Sequence, residues 1–245
     1  MISCKCTTYG RVALLEEALH SFLQQKYDGD KELIIVNDYP LQKLIFSHPE
    51  VKIFNLEKTF KTIGEKENFT LEQCKGEIIA VWDDDDIALP NHLSNINKYF
   101  VEGTNMLHWG KGVYYNAPNI TTITTIGNSG MVYSREIWER LKHPLENAGG
   151  DMTFVNCVHK IDKTKIVIAT PPNEEVSWFY RWGGIDVYHQ SGQGYDVAGK
   201  PDIIQRHSVH INIKRRRGEI PIGDIYLAPV WKYDYSKMLK DFILK

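Results

Sequence analysis

The chain has 245 residues, of which 42% are hydrophobic and 24% charged, and its formal net charge is −2. That is the composition of a globular protein with enough apolar residues for a core, and a charge so near balance makes no demand for a nucleic-acid partner. No run of about 18 apolar residues is present to span a membrane.

The first residues, Met1 to Cys6, lack the charged and apolar regions of a signal peptide, so a cytoplasmic location, with peripheral membrane contact allowed, is the expectation. The four cysteines, Cys4, Cys6, Cys74 and Cys157, form no CxxC pair and read as reduced thiols.

Residues 2–6 read as a strand, followed by a turn at Thr7 to Gly10. Val12, Leu15, Leu19, Phe22 and Leu23 recur at helical spacing, which predicts a helix over 11–25. Leu33-Ile34-Ile35-Val36 is an apolar run of the kind that forms a parallel strand covered on both faces. Val51 to Phe54 reads as a strand and 64–75 as a helix ended by Gly76. Glu77 to Trp82 is a further strand, and Pro90 opens a helix carrying Leu93, Ile96 and Phe100. The order β-α-β-β-α-β-α indicates a mostly parallel sheet with helices on it.

The second half is less regular. Strands are predicted at 112–117 and 121–126 around a turn at Pro118-Asn119, at 131–133 and at 165–169. Helices are predicted at 134–142, 151–159 and 235–244. The glycine-rich stretch 183–200 reads as a loop.

Asp83-Asp84-Asp85-Asp86 follows directly on an apolar strand. Two carboxylates about 4 Å apart repel by roughly 4 kcal/mol at an effective dielectric of about 20. Either water screens such a run or a cation relieves it. In an open α/β sheet, ligands bind beyond the carboxyl ends of the strands, where this run lies. Oxygen donors there suit Mg2+ or Mn2+ bridging to substrate phosphates.

The segment Gly76 to Asp86, with Pro90 after it, resembles the DxD region of family 2 glycosyltransferases of the GT-A fold. Cys6-Thr7-Thr8-Tyr9-Gly10-Arg11 resembles that family's PTYNR turn. Ile34-Ile35-Val36-Asn37-Asp38 resembles its IIVDD strand, and Ile63-Gly64-Glu65-Lys66-Glu67-Asn68 its GxxRN helix start. The motifs stand in family order across residues 2–90. The resemblance implies an α/β, Rossmann-like GT-A fold: a mostly parallel sheet, helices on both faces, and a smaller acceptor-side subdomain with antiparallel strands. It implies one domain over 1–245, with a nucleotide-sugar half at 1–104, an acceptor half at 105–200 and a C-terminal extension at 201–245.

The resemblance also implies roles. Thr7, Thr8 and Tyr9 line the base and ribose, and Asp38 accepts from the base. Asp83 and Asp84 lie against ribose and diphosphate, and Asp85, with Asp83, holds the Mn2+ or Mg2+. Asp86 supports the metal or helps place the acceptor. Where the family has an arginine this chain has Glu67, and Lys66 is the nearest replacement. Gly150-Asp151 resembles the family's ED pair. Asp151 is then the general base that takes the acceptor proton, or a helix N-cap, or both. His189 in the glycine-rich loop is a further metal ligand by the same resemblance, Arg181 pairs with the diphosphate, and Trp182 stacks on a sugar; core packing is the other reading of each. Trp109 and Tyr115 are read as core or as acceptor platform. Lys214 to Arg217 is a solvated basic run or an anion contact.

The expectation is a metal-dependent, inverting transferase that takes a nucleotide-diphosphate sugar, with UDP favoured, to a saccharide or glycolipid acceptor. Hydroxymethylated DNA is an alternative acceptor. Nucleotidyl transfer is a second class, and the sequence has neither the GxGxxG nor the GK[ST] motif. A non-catalytic sugar-binding protein on the same fold is a third.

Overall fold

A computed structural model describes residues 1–116, 118–147, 149–181, 214 and 216–245. The chain opens with β1 (Ile2–Thr8), α1 (Val12–Leu23), β2 (Lys31–Asn37), β3 (Gln42–Ile45) and β4 (Val51–Asn55). Next come α2 (Ile63–Gln73), β5 (Ile78–Val81), β6 (Ile87–Ala88), α3 (His92–Tyr99), β7 (Met106–Trp109) and β8 (Gly112–Asn116). β9 (Asn119–Thr124), β10 (Val132–Ser134), α4 (Arg135–Leu141), α5 (Gly150–His159) and β11 (Ile166–Ala169) follow. β12 (Trp178–Arg181), β13 (Gly223–Tyr226) and α6 (Tyr235–Ile243) complete the described elements.

The main sheet has the order β11-β7-β10-β5-β1-β2-β4. β1 runs parallel to both β2 and β5, β2 to β4, and β7 to β11, while β10 is antiparallel to both of its neighbours. Helices cover both faces. Leu15, Leu19 and Phe22 of α1 and Leu93 and Ile96 of α3 pack with Cys4, Cys6, Leu33 and Ile35 on one face. Leu71 of α2, Trp138 of α4 and Phe154 of α5 pack with Ile34, Ile79 and Val81 on the other. The alternation of Leu33, Ile34 and Ile35 between these cores is the period-2 geometry of a strand buried on both sides.

A second sheet, β6-β12-β8-β9, begins just after the aspartates. It is mixed rather than antiparallel: β12 runs parallel to β8, and the β6–β12 and β8–β9 pairs are antiparallel. The boundary expected at residue 104 crosses the main sheet, because β7, β10 and β11 extend it. The C-terminal extension is folded onto the body: β13 pairs with β3, and Tyr235 and Leu239 of α6 pack on Val113, Tyr115 and Phe179.

Several local expectations change. α3 begins at His92, after Pro90 and the N-cap Asn91. The hairpin strand starts at Asn119, so that residue pairs rather than turns. Gly76 is no left-handed cap, since α2 ends at an extended Cys74. Its need is space: a Cβ there would stand 2.7 Å from the Met1 carbonyl oxygen and the Ser3 nitrogen. Cys4 and Cys6 are buried core residues, and burial pushes both thiols well above the usual range. Trp109 and Tyr115 are each 1% exposed and belong to the core, not to an acceptor platform. Strands β3, β6, β7, β12 and β13 were not expected, being short segments defined by their partners more than by their own pattern.

Candidate active site

β1 has β2 on one side and β5 on the other, so the sheet order reverses at β1. The crevice outside the carboxyl ends of β1 and β5 is the place such sheets bind ligands. Lys5 pairs with Val81, and Trp82 N donates to the Lys5 carbonyl at 2.9 Å, which sets the aspartates beside the end of β1. The run bridges the two sheets, with β5 before it and β6 after it.

The four carboxylates have different surroundings. Asp84 takes a forked contact from Arg11, with Nε donating to Oδ2 at 3.2 Å and Nη2 to Oδ1. Arg11 Nη1 also donates to Asp85 Oδ2 at 2.7 Å. Asp86 points inward: Ser129 Oγ at 2.7 Å and Trp178 Nε1 at 3.1 Å donate to Oδ2, and Arg181 N donates to Oδ1 at 2.7 Å. It ties the run to β12. Asp83 makes no ion pair among the described residues. Burial, then Asp86, raises the Asp83 carboxyl well above the usual range. Burial, then Asp85, pushes Asp86 up to about 8. Loss of water is the larger cause of both shifts, and the neighbouring carboxylates add an excess of negative charge.

That excess and the all-oxygen donor set fit a divalent cation. Among the described residues, no group of three or more His, Cys, Asp or Glu side chains is already gathered as a metal cage. Among the described residues, Arg11 pairs with both Asp84 and Asp85.

On the β2 side, Lys66 Nζ donates to the Thr8 carbonyl at 2.7 Å and to Asp38 Oδ1. Asp38 Oδ2 accepts from Phe60 N at 3.0 Å, so both oxygens of that carboxylate already have protein partners. The Tyr9 ring meets Tyr39 edge-on at 5.0 Å, with Lys66 Nζ 5.9 Å from its centre. Thr7 Oγ1 donates to Glu67 Oε1 at 3.3 Å. Glu67 pairs with Lys5, a buried lysine on β1. The departure at Glu67 is thus matched by a lysine 62 residues earlier in the chain. Lys66, not Glu67, meets Asp38.

α2 starts with a reciprocal cap: Thr62 Oγ1 accepts from Glu65 N at 3.1 Å, and Glu65 accepts from Thr62 N at 3.3 Å. Asn68 then clamps α2 to the 142–149 loop. Its Oδ1 accepts from His143 N at 2.8 Å and Trp138 Nε1 at 3.0 Å, and its Nδ2 donates to the His143 carbonyl at 2.9 Å. That loop leads into α5, where Asp151 lies exposed in the first turn, with Asn128 Nδ2 donating to it at 3.3 Å. The N-cap of α5 is Gly149, at φ 72, so Asp151 is no N-cap.

Arg181 does not line an open anion site. Its side chain is 5% exposed, and Nη1 donates to Glu17 Oε1 at 3.1 Å. His189 and Trp182 lie outside the described residues. Of the basic run, Arg215 lies outside them too, and Arg217 is an exposed side chain 3.8 Å from Glu219.

Residues 6–158 match the family described as Glycosyl transferase family 2. The chain belongs to glycosyl transferase family 2. A Bacillus subtilis (strain 168) protein described as the uncharacterized glycosyltransferase YwdF is 30% identical over 112 residues, 44% of this chain and 40% of that protein. Among solved structures, the S. aureus TarS fragment 1-349 in complex with UDP is similar at a TM-score of 0.58 and 15% identity, over 87% of this chain and 64% of that one. The mannosyltransferase PcManGT from Pyrobaculum calidifontis, in complex with GDP-Man and Mn2+, is similar at 0.55 and 16% identity, over 98% and 68%. These likenesses place the fold among GT-A glycosyltransferases. The chain spans less than half the length of the Bacillus relative.

Within this family 2 chain, sequence reasoning gave no role to Lys5, Glu17, Ser129 or Trp178, and Arg11 entered only as part of a turn motif. Arg11 was the most accessible of them, as a cation one turn from a strand end in a chain with four adjacent carboxylates.

Proposed function

We propose that this family 2 chain transfers a sugar from a nucleotide-diphosphate sugar, UDP being the favoured nucleotide, to a hydroxyl of a saccharide or glycolipid, with inversion and with Mn2+ or Mg2+. The observation that carries the reading is the cluster of adjacent carboxylates Asp83–Asp85 at the β1/β5 switch point, where Arg11 pairs with Asp84 and Asp85. The complexes of TarS with UDP and of PcManGT with GDP-Man and Mn2+ support a nucleotide-sugar donor and a divalent ion on this fold.

Asp83 and Asp85 would hold the ion. When bound, it offsets the charge that develops on the leaving diphosphate. Thr7, Thr8 and Tyr9 line the nucleoside side of the crevice. Lys66 holds Asp38 and the Thr8 carbonyl in place there, fixing the wall before a ligand arrives. Asp84 is held by Arg11 facing ribose and diphosphate. Asp151, exposed at the start of α5, takes the proton from the acceptor hydroxyl. The buried thiols suit a reducing compartment, in keeping with a cytoplasmic site of action.

The test is incubation with a panel of nucleotide sugars, Mn2+ and oligosaccharide or lipid-linked acceptors, with the nucleotide product identified. Acceptor-dependent release of nucleoside diphosphate is expected. Release of pyrophosphate instead would overturn the reading in favour of nucleotidyl transfer.

A further inference from the structure

Residues 126–131 carry the chain from β9 to β10 through a tight double turn. The Ile126 carbonyl accepts from Ser129 N at 3.3 Å, and the Asn128 carbonyl accepts from Met131 N at 3.3 Å. Gly127 at φ 62 and Gly130 at φ 63 supply the left-handed backbone that these overlapping turns use. The base of the turn is fixed. Ile126 and Met131 are each 3% exposed, Trp109 Nε1 donates to the Gly130 carbonyl at 2.8 Å, and Val81 N donates to the Met131 carbonyl at 3.0 Å. A Cβ on Gly130 would stand 2.8 Å from the Trp178 ring, so the turn is pressed against that ring.

Two adjacent side chains of this turn reach two different carboxylates. Ser129 Oγ donates to Asp86 Oδ2 at 2.7 Å and accepts from Trp178 Nε1 at 2.8 Å. Asn128 Nδ2 donates to Asp151 Oδ2 at 3.3 Å and to Met152 Sδ at 2.9 Å, both in the first turn of α5. A carboxylate and a thioether only accept, so the side of the Asn128 amide turned toward them is its NH2. Among the described residues, no other side chain donates to Asp151, whose exposed carboxylate is otherwise free to change rotamer.

We propose that Asn128 is a positioning residue for the base Asp151, and that the Asn128–Ser129 peptide is a spacer that sets Asp151 relative to the aspartates facing the diphosphate. The inference rests on the transfer reading above and deepens it. Inversion requires the acceptor oxygen to approach the sugar carbon from the side opposite the leaving diphosphate. The base therefore stands across the sugar from the aspartate run, and a misplacement of about 1 Å costs on the order of 100-fold in rate. The spacer is anchored at one end through Ser129 to Asp86, the chain neighbour of Asp85, and at the other it holds an exposed carboxylate in one rotamer. In this role Asn128 acts through Asp151.

The test is steady-state kinetics of the full chain, reading nucleoside diphosphate released from UDP- and GDP-sugars with Mn2+ and oligosaccharide or lipid-linked acceptors. Asn128→Ala lowers kcat about tenfold, as loss of one hydrogen bond to a charged group does, and leaves donor KM within about twofold. Asn128→Asp keeps the shape but sets carboxylate against carboxylate, so it is slower than Asn128→Ala; a side chain needed only for packing gives the reverse order. In an Asp151→Asn background, Asn128→Ala changes the residual rate by less than about twofold, because its target is gone. An equal loss in both backgrounds overturns the positioning role, and so does an Asn128→Asp rate at or above that of Asn128→Ala; either result leaves the transfer reading intact. A parent chain that releases no nucleoside diphosphate with any donor and acceptor overturns both.

Discussion

The four aspartates, which the sequence presents as equivalent, have different surroundings. Asp84 and Asp85 share Arg11, Asp86 is turned inward to Ser129, Trp178 and the Arg181 amide, and Asp83 is left to Coulomb relief from Lys5. Asp85→Ala is expected to abolish Mn2+-dependent binding of the donor; an unchanged calorimetric affinity with Mn2+ sinks the metal assignment. Asp151→Asn is expected to keep donor binding and lower kcat by about 10²–10⁴, the usual worth of a general base. Full activity in that variant removes Asp151 from the role. His143 offers a pH prediction. Burial pushes it down to about 4 from the ordinary histidine value of 6.5, so it stays neutral in the fold while the unfolded chain protonates. Its contribution is fully present above the unfolded value and is lost as pH falls toward 4. The loss amounts to roughly 3 kcal/mol across that window. Denaturant titrations at pH 7 and 4.5 check it: His143→Gln, which keeps the Asn68 bonds to the residue 143 backbone, should show a flatter pH dependence than the parent. Identical curves would refute the argument.

At the scale of elements, α2 connects the nucleotide side to the acceptor side. Lys66 on one face meets Asp38 and Thr8, and Asn68 holds the loop before α5. Gly64 makes the close approach of that loop feasible, since a Cβ there would stand 1.8 Å from the Pro144 carbonyl oxygen. The obstacle is backbone, so the loop must move. Gly64→Ala is expected to cost about 3 kcal/mol and to lower kcat more than it raises donor KM, because it displaces Asp151 and not the β1 turn. Gly103→Ala is the control: it has positive φ but nothing within 4 Å, and should cost about 1 kcal/mol with kinetics unchanged. Equal kinetic effects in the two variants would contradict the coupling through α2.

At the scale of the molecule, Glu17 joins three separate parts of the chain. This buried carboxylate of α1 accepts from Arg181 Nη1 at 3.1 Å, from Lys232 N at 3.1 Å and from the Tyr235 hydroxyl at 2.5 Å. It fastens α6 and β12 to the main sheet's covering helix, and β12 in turn holds Asp86. Glu17→Ala leaves the Arg181 guanidinium buried without its carboxylate and is expected to cost about 3–5 kcal/mol. The midpoint of denaturant unfolding measures it, and a shift worth less than about 1 kcal/mol would show that water replaces the pair.

Local pattern carried much of the fold. The apolar runs at 33–36 and 78–81, the helical spacing of 12–23 and the turn after β1 each express a period or a punctuation within a dozen residues, enough to indicate a parallel sheet with the aspartates at a strand end. The family motifs added an order for those pieces and an expected task for Asp83, Asp84 and Asp85. Tertiary structure alone decided how the charges are matched. Arg11 meets carboxylates more than 70 residues away, Lys5 meets Glu67, and Glu17 meets partners beyond residue 180. It also set β13 on β3 and Ile220 against Tyr39. The physical reason is that compensation of a buried charge depends on distance through space in a poorly screening interior, and sequence spacing carries no information about that distance.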